Sequence, residues 1–149
     1  MQNTKASIIL EKILDFEQEN RKIYKAYVTQ LVHPGLRHLL SLILNGEEEH
    51  EKRLKELINT PNIDLIFDFP KAFNLESLAK TEQYSNSTNF NDILHVVMKR
   101  EEATMAIYTK LAQSCSNKDV AFILNELAFE EKKHYSWAVD QYELVMLSE

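Results

Sequence analysis

An internal repeat constrains the fold of this chain more than any other feature of its sequence. When the chain is aligned with itself at an offset of 84 residues, polar and apolar residues of the two halves coincide. The aligned pairs include Glu17 with Glu101, Tyr24 with Tyr108, Leu40 with Leu124, Glu47 with Glu131 and His50 with His134. Self-similarity over this length predicts two copies of one supersecondary unit, which here is a helical hairpin.

Apolar residues recur at helical spacing in four segments of the chain. We predict helices over about residues 3–32, 36–58 and 90–113, and a fourth helix that starts at the capping box Ser116-Asn117-Lys118-Asp119. The breaker His33-Pro34-Gly35 predicts a short turn that makes the first two helices antiparallel. With only two Gly and three Pro in 149 residues, the composition also favours long helices over sheets.

About thirty residues separate the second helix from the third, enough for the chain to travel the length of a helix and start the third helix parallel to the second. Within this crossover we predict a short helix over residues 75–80, and an exposed loop over residues 84–91 that leads to an N-cap at Thr88 or Asn89. Four helices, short loops within each half and one long crossover describe an all-α, ferritin-like antiparallel four-helix bundle. The crossover residues expected to cover one flank of the bundle are Leu65, Ile66, Phe67, Phe69 and Phe73.

The composition limits the classes of function. A chain of 149 residues with 44% hydrophobic residues predicts a single domain over residues 1–149. The formal charge of −6, without a basic stripe, argues against a nucleic-acid partner. No apolar run could span a bilayer and no secretory signal opens the chain, so we expect no membrane partner and a cytoplasmic location. Cys115 is the only cysteine, so neither a disulfide nor a rubredoxin-type iron site is predicted.

The two Glu-x-x-His motifs predict a metal site. On a helix this spacing places a carboxylate and an imidazole on one face, about one turn apart. One motif alone is weak, because a single Glu or His is as readily a solvated or hydrogen-bonded residue. Four carboxylates in an apolar core would cost several kcal/mol each without a cation, and no Lys or Arg shares their faces. The predicted metal ligands are Glu17, Glu47, His50, Glu101, Glu131 and His134, a set that suits two iron ions, with manganese or zinc as alternatives.

Other polar and aromatic residues have simpler interpretations. Gly46 lies inside a predicted helix, where it costs about 1 kcal/mol relative to Ala, so it predicts the close approach of another group to the backbone. Glu48 and Glu49 are predicted to form a solvated face. Trp137 lies one turn after the second motif and is expected to pack in the core rather than to line a substrate path.

Taken together, the motifs resemble those of the rubrerythrin-like branch of the ferritin-like superfamily. The resemblance covers nearly the whole chain apart from the crossover. It implies a di-iron carboxylate site and leaves the reaction less specified than the site. The motifs that carry the resemblance are Glu17 with Tyr24, Glu47-x-x-His50, Glu101 with Tyr108, and Glu131-x-x-His134.

The resemblance also implies a role for each of these residues. The two tyrosines would support the reaction as donors that hold carboxylates in place, whereas without the resemblance they are ordinary core aromatics. By the same resemblance, Glu47 and Glu131 bridge the two irons. Glu17 and His50 complete the ligands of one iron, and Glu101 and His134 complete those of the other. Tyr24 and Tyr108 are the supporting donors.

Two departures from the family leave the reaction open. Peroxide-reducing rubrerythrins typically carry a further Glu on the third helix, where this chain has Thr104, and an attached rubredoxin that delivers electrons. The ligand set is equally similar to the ferroxidase centre of bacterioferritin. However, Glu48 stands where a haem-ligating Met would follow Glu47, so no haem is expected.

The preferred hypothesis is a di-iron oxidoreductase that reduces hydrogen peroxide or dioxygen and is re-reduced by an external electron-donor protein. The alternatives are an iron-storage protein with ferroxidase activity, and a bundle in which the metal serves only structure or interaction. By analogy with the superfamily we expect a homodimer, for which the aromatic crossover could supply the interface.

Overall fold

Four long α-helices and one short helix make up the described part of the chain, which comprises residues 5–30, 33–80 and 89–148 of a computed structural model. These ranges contain no β-strand, and an isolated antiparallel bridge joins Phe67 to Cys115. The helical segments predicted from the sequence are therefore confirmed, although residues 3, 4, 31 and 32 of the first lie outside the described residues. The elements are α1 (Ala6–Gln30), α2 (Pro34–Ile58), a 3-10 turn (Ile63–Ile66), α3 (Leu75–Leu78), α4 (Phe90–Gln113) and α5 (Lys118–Ser148).

The long helices pair as two hairpins. α1 packs most extensively against α2 and α4 against α5, while contacts of α2 with α5 and of α1 with α4 close the bundle. The turn of the first hairpin is held by His33, whose Nδ1 accepts a hydrogen bond from the Leu36 N–H at 3.1 Å. Pro34 follows at the start of α2, where a residue without an N–H loses no intrahelical bond. The architecture is an antiparallel four-helix bundle of two hairpins joined by a long crossover, as predicted.

The crossover lies against the end of the bundle where α4 turns into α5. Its backbone is bonded there, since the Asp68 N–H donates to the Ser114 carbonyl at 2.8 Å and the Ser116 N–H to the Ile66 carbonyl at 2.7 Å. The prediction that Leu65 covers the bundle is wrong, because this side chain is 80% exposed. In a 3-10 turn, side chains three residues apart share a side, so Ile63 and Ile66 face the core and Leu65 faces away. The crossover residues that pack on the core are Ile66, Phe67, Phe69, Phe73, Leu75 and Leu78.

Asparagine side chains cap the two helices of the second hairpin. The Asn89 carboxamide oxygen accepts a hydrogen bond from the Asn91 N–H at 2.9 Å, which confirms one of the two predicted caps, while Thr88 lies outside the described residues. The predicted capping box at Ser116 is displaced by one residue. Asn117 accepts from the Val120 N–H at 3.0 Å, and the Ser116 hydroxyl instead donates to the Ile66 carbonyl at 3.1 Å.

The bundle core consists of two apolar clusters with a polar layer between them. One cluster includes Leu10, Leu54, Leu111 and Leu124, and the other includes Tyr27, Leu40, Leu94 and Ala138. On every long helix the buried polar residues lie between the two clusters in sequence. No helix in the described ranges has the length and apolar character needed to cross a membrane. The buried polar residues are Glu17, Asn20, Glu47, His50, Glu51, Arg100, Glu101, Thr104, Glu131 and His134.

Candidate metal centre

All six side chains predicted as metal ligands meet in the polar layer, and each is at most 4% exposed. On each long helix the apolar stripe faces the core. The polar residues of the layer lie within that stripe, so each long helix contributes to the layer. The six form two overlapping groups, and within each group the candidate ligand atoms lie within 4.8 Å of one another. The first group is Glu17, Glu47, His50 and Glu131, and the second is Glu47, Glu101, Glu131 and His134, so that Glu47 and Glu131 are shared.

His50 is the most tightly contacted residue of the first group. Its Nδ1 lies 2.6 Å from a carboxylate oxygen of Glu131 and 3.3 Å from one of Glu17. Its Nε2 lies on the other side of the ring, 2.8 Å from a carboxylate oxygen of Glu130. Nδ1 is therefore the nitrogen that faces the buried carboxylates of Glu131 and Glu17, and Nε2 is the one that faces out of the layer.

His134 has the same orientation in the second group but looser contacts. Its Nδ1 lies 3.8 Å from a carboxylate oxygen of each of Glu47, Glu101 and Glu131. These distances exceed those of a hydrogen bond. The three carboxylates and the imidazole thus surround a small space without closing it.

Burial and mutual repulsion raise the pKa of two carboxylates of the layer, those of Glu47 and Glu101. Burial and the charges of Glu131 and Glu17 raise the pKa of Glu47 well above its usual value. Burial and the charge of Glu131 raise the pKa of Glu101 to about 8. Crowded carboxylates in a low-dielectric site hold protons that they would lose in water.

The two imidazoles respond in the opposite sense. Burial alone would lower the pKa of His50, but its contacts with Glu131 and Glu17 raise that pKa to about 11. For His134, Glu101 and Glu131 outweigh burial and raise the pKa to about 9. In the absence of metal, protons on the imidazoles act as the positive charge that the carboxylates require.

Several buried oxygens of the cluster have no donor. Neither carboxylate oxygen of Glu47 or of Glu101 receives a hydrogen bond from a described residue, and the Nδ1 of His134 likewise lacks a partner. Leaving such groups unpaired is costly in a folded protein. Divalent cations would use these oxygen and nitrogen atoms as ligands, so the residues present fit metal binding.

Arg100 corrects one sequence-based expectation. It is 3% exposed and lies in the same layer, where no Lys or Arg was expected. Its side chain is directed to other groups, because Nη2 lies 3.1 Å from Glu19 and Nε donates to the Asn20 side-chain oxygen. The guanidinium also lies over the Phe16 ring, 4.6 Å from its centre. These contacts direct the guanidinium towards residues of α1 that are not among the six candidate ligands.

The two predicted supporting tyrosines differ in their contacts. The Tyr108 hydroxyl donates to a carboxylate oxygen of Glu17 at 3.2 Å, as expected for a residue that holds a ligand in place. The Tyr24 hydroxyl is fully buried and has no hydrogen-bond partner among the described residues. Burial, followed by the charge of Glu101, raises the pKa of Tyr24 well above its usual value. Both phenols are therefore neutral at physiological pH.

Thr104 and Asn20 also contact the candidate ligands, and the repeat relates them. The Thr104 hydroxyl lies 3.1 Å from a carboxylate oxygen of Glu131, and the Asn20 amide donates to Glu17 at 3.3 Å. An offset of 84 residues aligns Asn20 with Thr104. These contacts were not predicted from the sequence, although the repeat alignment pairs the two positions.

Glu130 is another contact that the sequence analysis missed. Its carboxylate is 34% exposed and bonds His50 from outside the buried layer. It directly precedes Glu131 in the sequence, and its pairing depends on how α5 packs against α2. Among the described residues the run in the first motif behaves as predicted, because Glu48 and Glu49 are exposed.

Gly46 and Trp137 lie on either side of the His134 ring. A Cβ atom on Gly46 would be 2.6 Å from Cε1 and 2.7 Å from Nε2 of His134, so the predicted close approach to this backbone is present. Trp137 stacks obliquely on the same ring at 5.4 Å between centres, yet it is 36% exposed. The expectation that Trp137 packs in the core is wrong, since its position on α5 faces the surface beside the site.

Comparison with known proteins identifies the family. The family model described as Rubrerythrin matches residues 9–141 and reaches into all four long helices. Among solved structures, a hypothetical protein from Pyrococcus furiosus shares the fold with a TM-score of 0.75 and 23% identity, covering 96% of this chain and 91% of that chain. A search of the curated proteins finds no match. The all-α, ferritin-like architecture expected from the sequence is confirmed, and the chain belongs to the rubrerythrin family.

Proposed function

We propose that this protein is a di-iron oxidoreductase that reduces hydrogen peroxide or dioxygen with electrons from an external donor protein. The observation that carries the proposal is the pair of overlapping ligand groups that share Glu47 and Glu131. Membership of the rubrerythrin family and the buried carboxylate and histidine cluster fit a di-iron protein. When bound, two ferrous ions would supply the two electrons that convert hydrogen peroxide and two protons into two molecules of water.

The number of candidate ligands supports a reactive site over a purely structural one. Each group offers one imidazole and three carboxylates, two of which are shared. Iron in such sites commonly takes more ligands than four, so positions would stay available for a small oxidant. The six side chains would bind the metals as follows: Glu47 and Glu131 between them, Glu17 and His50 on one side, and Glu101 and His134 on the other.

The surrounding residues would keep this arrangement fixed during turnover. Tyr108 and Asn20 donate to Glu17, and Thr104 lies within hydrogen-bonding distance of Glu131. Such contacts to ligating groups commonly affect metal affinity and activity as strongly as a ligand does. The apolar clusters on either side of the layer exclude bulk water from it.

A small molecule would approach the cluster from the face that α2 and α5 form. Trp137 is partly exposed and contacts the His134 ring, while Glu130 is partly exposed and contacts His50. Both histidines are thus one side chain away from solvent. The proposed approach suits an oxidant as small as hydrogen peroxide or dioxygen.

The test is reaction of the iron-loaded protein with each oxidant. Protein purified without added metal is loaded anaerobically with ferrous iron, and iron content and oxidation rate are measured. We expect about two irons per chain and rapid oxidation by peroxide or dioxygen. Glu47→Ala and His134→Ala should abolish this oxidation, because each removes a ligand from the cluster.

Matched controls come from the same helix. Glu48→Ala and His38→Ala change exposed residues of α2 and should leave iron content and oxidation unchanged. Turnover that survives both ligand substitutions would contradict the proposal. Accumulation of many irons per chain in a large particle on size-exclusion chromatography would favour storage instead, whereas the proposed enzyme should elute as a homodimer or smaller.

A further inference from the structure

We infer that the two metal positions differ in affinity. The position of Glu17 and His50 is preorganised and binds the first metal ion, and the position of Glu101 and His134 binds the second. The inference rests on metal binding at the cluster, which is part of the proposed function, but not on the oxidoreductase reaction. Its basis is a set of contacts that one position has and its repeat-related partner lacks.

The first contact is the carboxylate of Glu130 on His50. It lies 2.8 Å from Nε2, so it holds the imidazole with Nδ1 directed towards Glu131 and Glu17. A carboxylate on the outer nitrogen of a ligating histidine fixes the ring and increases its basicity towards the metal. Glu130 is therefore a positioning residue that acts through His50.

His134 has a glycine where His50 has this glutamate. The offset of 84 residues aligns Gly46 with Glu130. The Nε2 of His134 lies close to Gly46, 2.7 Å from where a Cβ atom would stand. Among the described residues, the ion pairs of His134 all involve Nδ1. The ring is also in contact with the partly exposed Trp137. On its outer side His134 packs against Gly46 and Trp137, and among the described residues no carboxylate pairs with it there.

The unshared carboxylates show the same difference. Glu17 receives hydrogen bonds from Tyr108 at 3.2 Å and from Asn20 at 3.3 Å. Glu101 receives none from the described residues at either oxygen. Tyr24 is the repeat equivalent of Tyr108, and its hydroxyl has no hydrogen-bond partner among these residues. A ligand that is already ordered loses less conformational entropy on binding, so the Glu17 position should have the higher affinity.

A zinc titration followed by NMR of the imidazole nitrogens tests the filling order directly. Zinc is diamagnetic and not redox-active, so the measurement is independent of any oxidation reaction. The first equivalent should shift the Nδ1 signal of His50 and leave that of His134 in place. The second equivalent should then shift His134.

Substitution of Glu130 should weaken the first step only. Glu130→Ala removes the contact with His50 and should lower the affinity of the first equivalent by about 10- to 100-fold. Glu130→Gln should recover most of the loss, because its carboxamide oxygen can still accept the Nε2 hydrogen. Glu126→Ala is the matched control, since Glu126 lies one turn earlier on α5 and its carboxylate pairs with Arg53 at 3.2 Å.

Substitution of Gly46 should have the reciprocal effect. The Cβ introduced by Gly46→Ala would overlap the His134 ring and displace it, so the second equivalent should bind at least about tenfold more weakly. The first equivalent should be unchanged. Asn45→Ala is the control, because Asn45 is the exposed neighbour on the same helix.

The outcomes separate this inference from the proposed function. Simultaneous filling, filling of His134 first, or no effect of Glu130→Ala on the first step would overturn the inference. Absence of zinc binding would overturn it as well, together with the proposed metal site. If the filling order holds but the iron-loaded protein does not react with either oxidant, only the proposed function fails.

Discussion

At the scale of single residues, the cluster is defined by which buried atoms have partners. Tyr108 and Tyr24 are equivalent in the repeat and both fully buried. Among the residues that the structure describes, the Tyr108 hydroxyl has a partner, Glu17, and the Tyr24 hydroxyl has none. A satisfied hydrogen bond contributes modestly to stability, whereas a buried group without a partner carries a desolvation cost. The two tyrosines therefore make opposite contributions to the metal-free fold.

Substitution of each tyrosine by Phe tests this difference. We expect Tyr108→Phe to lower the free energy of unfolding of the metal-free protein by about 1 kcal/mol, since Glu17 loses a donor. Tyr24→Phe should leave that free energy unchanged or raise it slightly, because it removes a hydroxyl without a partner. Urea unfolding followed by circular dichroism measures both. Equal losses in the two variants would show that Tyr24 has a partner of similar strength.

At the scale of elements, the second hairpin depends on a contact between its turn and the crossover. The two residues just before α5, Ser116 and Asn117, make different hydrogen bonds. Asn117 caps the helix through the Val120 N–H, while the Ser116 hydroxyl bonds the Ile66 carbonyl of the crossover. A capping side chain satisfies a backbone N–H that has no partner within the helix.

Removal of the cap should destabilise α5 measurably. Asn117→Ala is expected to lower the free energy of unfolding by about 1 kcal/mol, as is typical of N-cap substitutions. Asn125→Ala, at an exposed position within α5, is the control and should change little. Thermal or urea unfolding gives both values. A loss from Asn117→Ala no larger than that from Asn125→Ala would contradict the assignment of Asn117 as the helix cap.

At the scale of the whole molecule, the charged layer divides the core and makes stability depend on pH. The metal-free fold holds protons that the unfolded chain releases, because the pKa of Glu101 is raised to about 8 by burial and Glu131. The contacts of His134 and His50 with carboxylates outweigh burial and raise their pKa values to about 9 and about 11. The native state therefore binds more protons than the unfolded state at neutral and alkaline pH.

The stability of the metal-free protein should fall as the pH rises. A group with a raised pKa in the fold contributes fully below its unfolded pKa and loses that contribution as the pH passes its folded pKa. Between about pH 7 and pH 10 we expect the melting temperature to decrease by several degrees, through the titration of Glu101 and His134. Differential scanning calorimetry at a series of pH values measures this.

The metal-loaded protein is the control for this pH dependence. Bound cations replace the protons as counter-charge, so the decrease over the same interval should be smaller, and loading should release protons. A melting temperature of the metal-free protein that stays constant or rises towards pH 10 would contradict the expected protonation of the layer.

The sequence by itself determined the bundle and the composition of its polar layer. Helical periodicity and the spacing of Glu-x-x-His are local properties, and the repeat shows which residues of the two halves correspond. For this reason the helices, the hairpins and the meeting of six candidate ligands could be predicted. These patterns depend on the face of each helix and not on the exact register between helices.

Only the tertiary structure decided which residues contact the outer side of each histidine ligand. The contacts of Glu130 with His50 and of Gly46 with His134 depend on the rotation and register of α5 against α2. The period of a single helix does not specify that packing. The exposure of Trp137 depends on the same packing. A sequence repeat makes the two halves look alike, and it is packing between the hairpins that makes their surroundings differ.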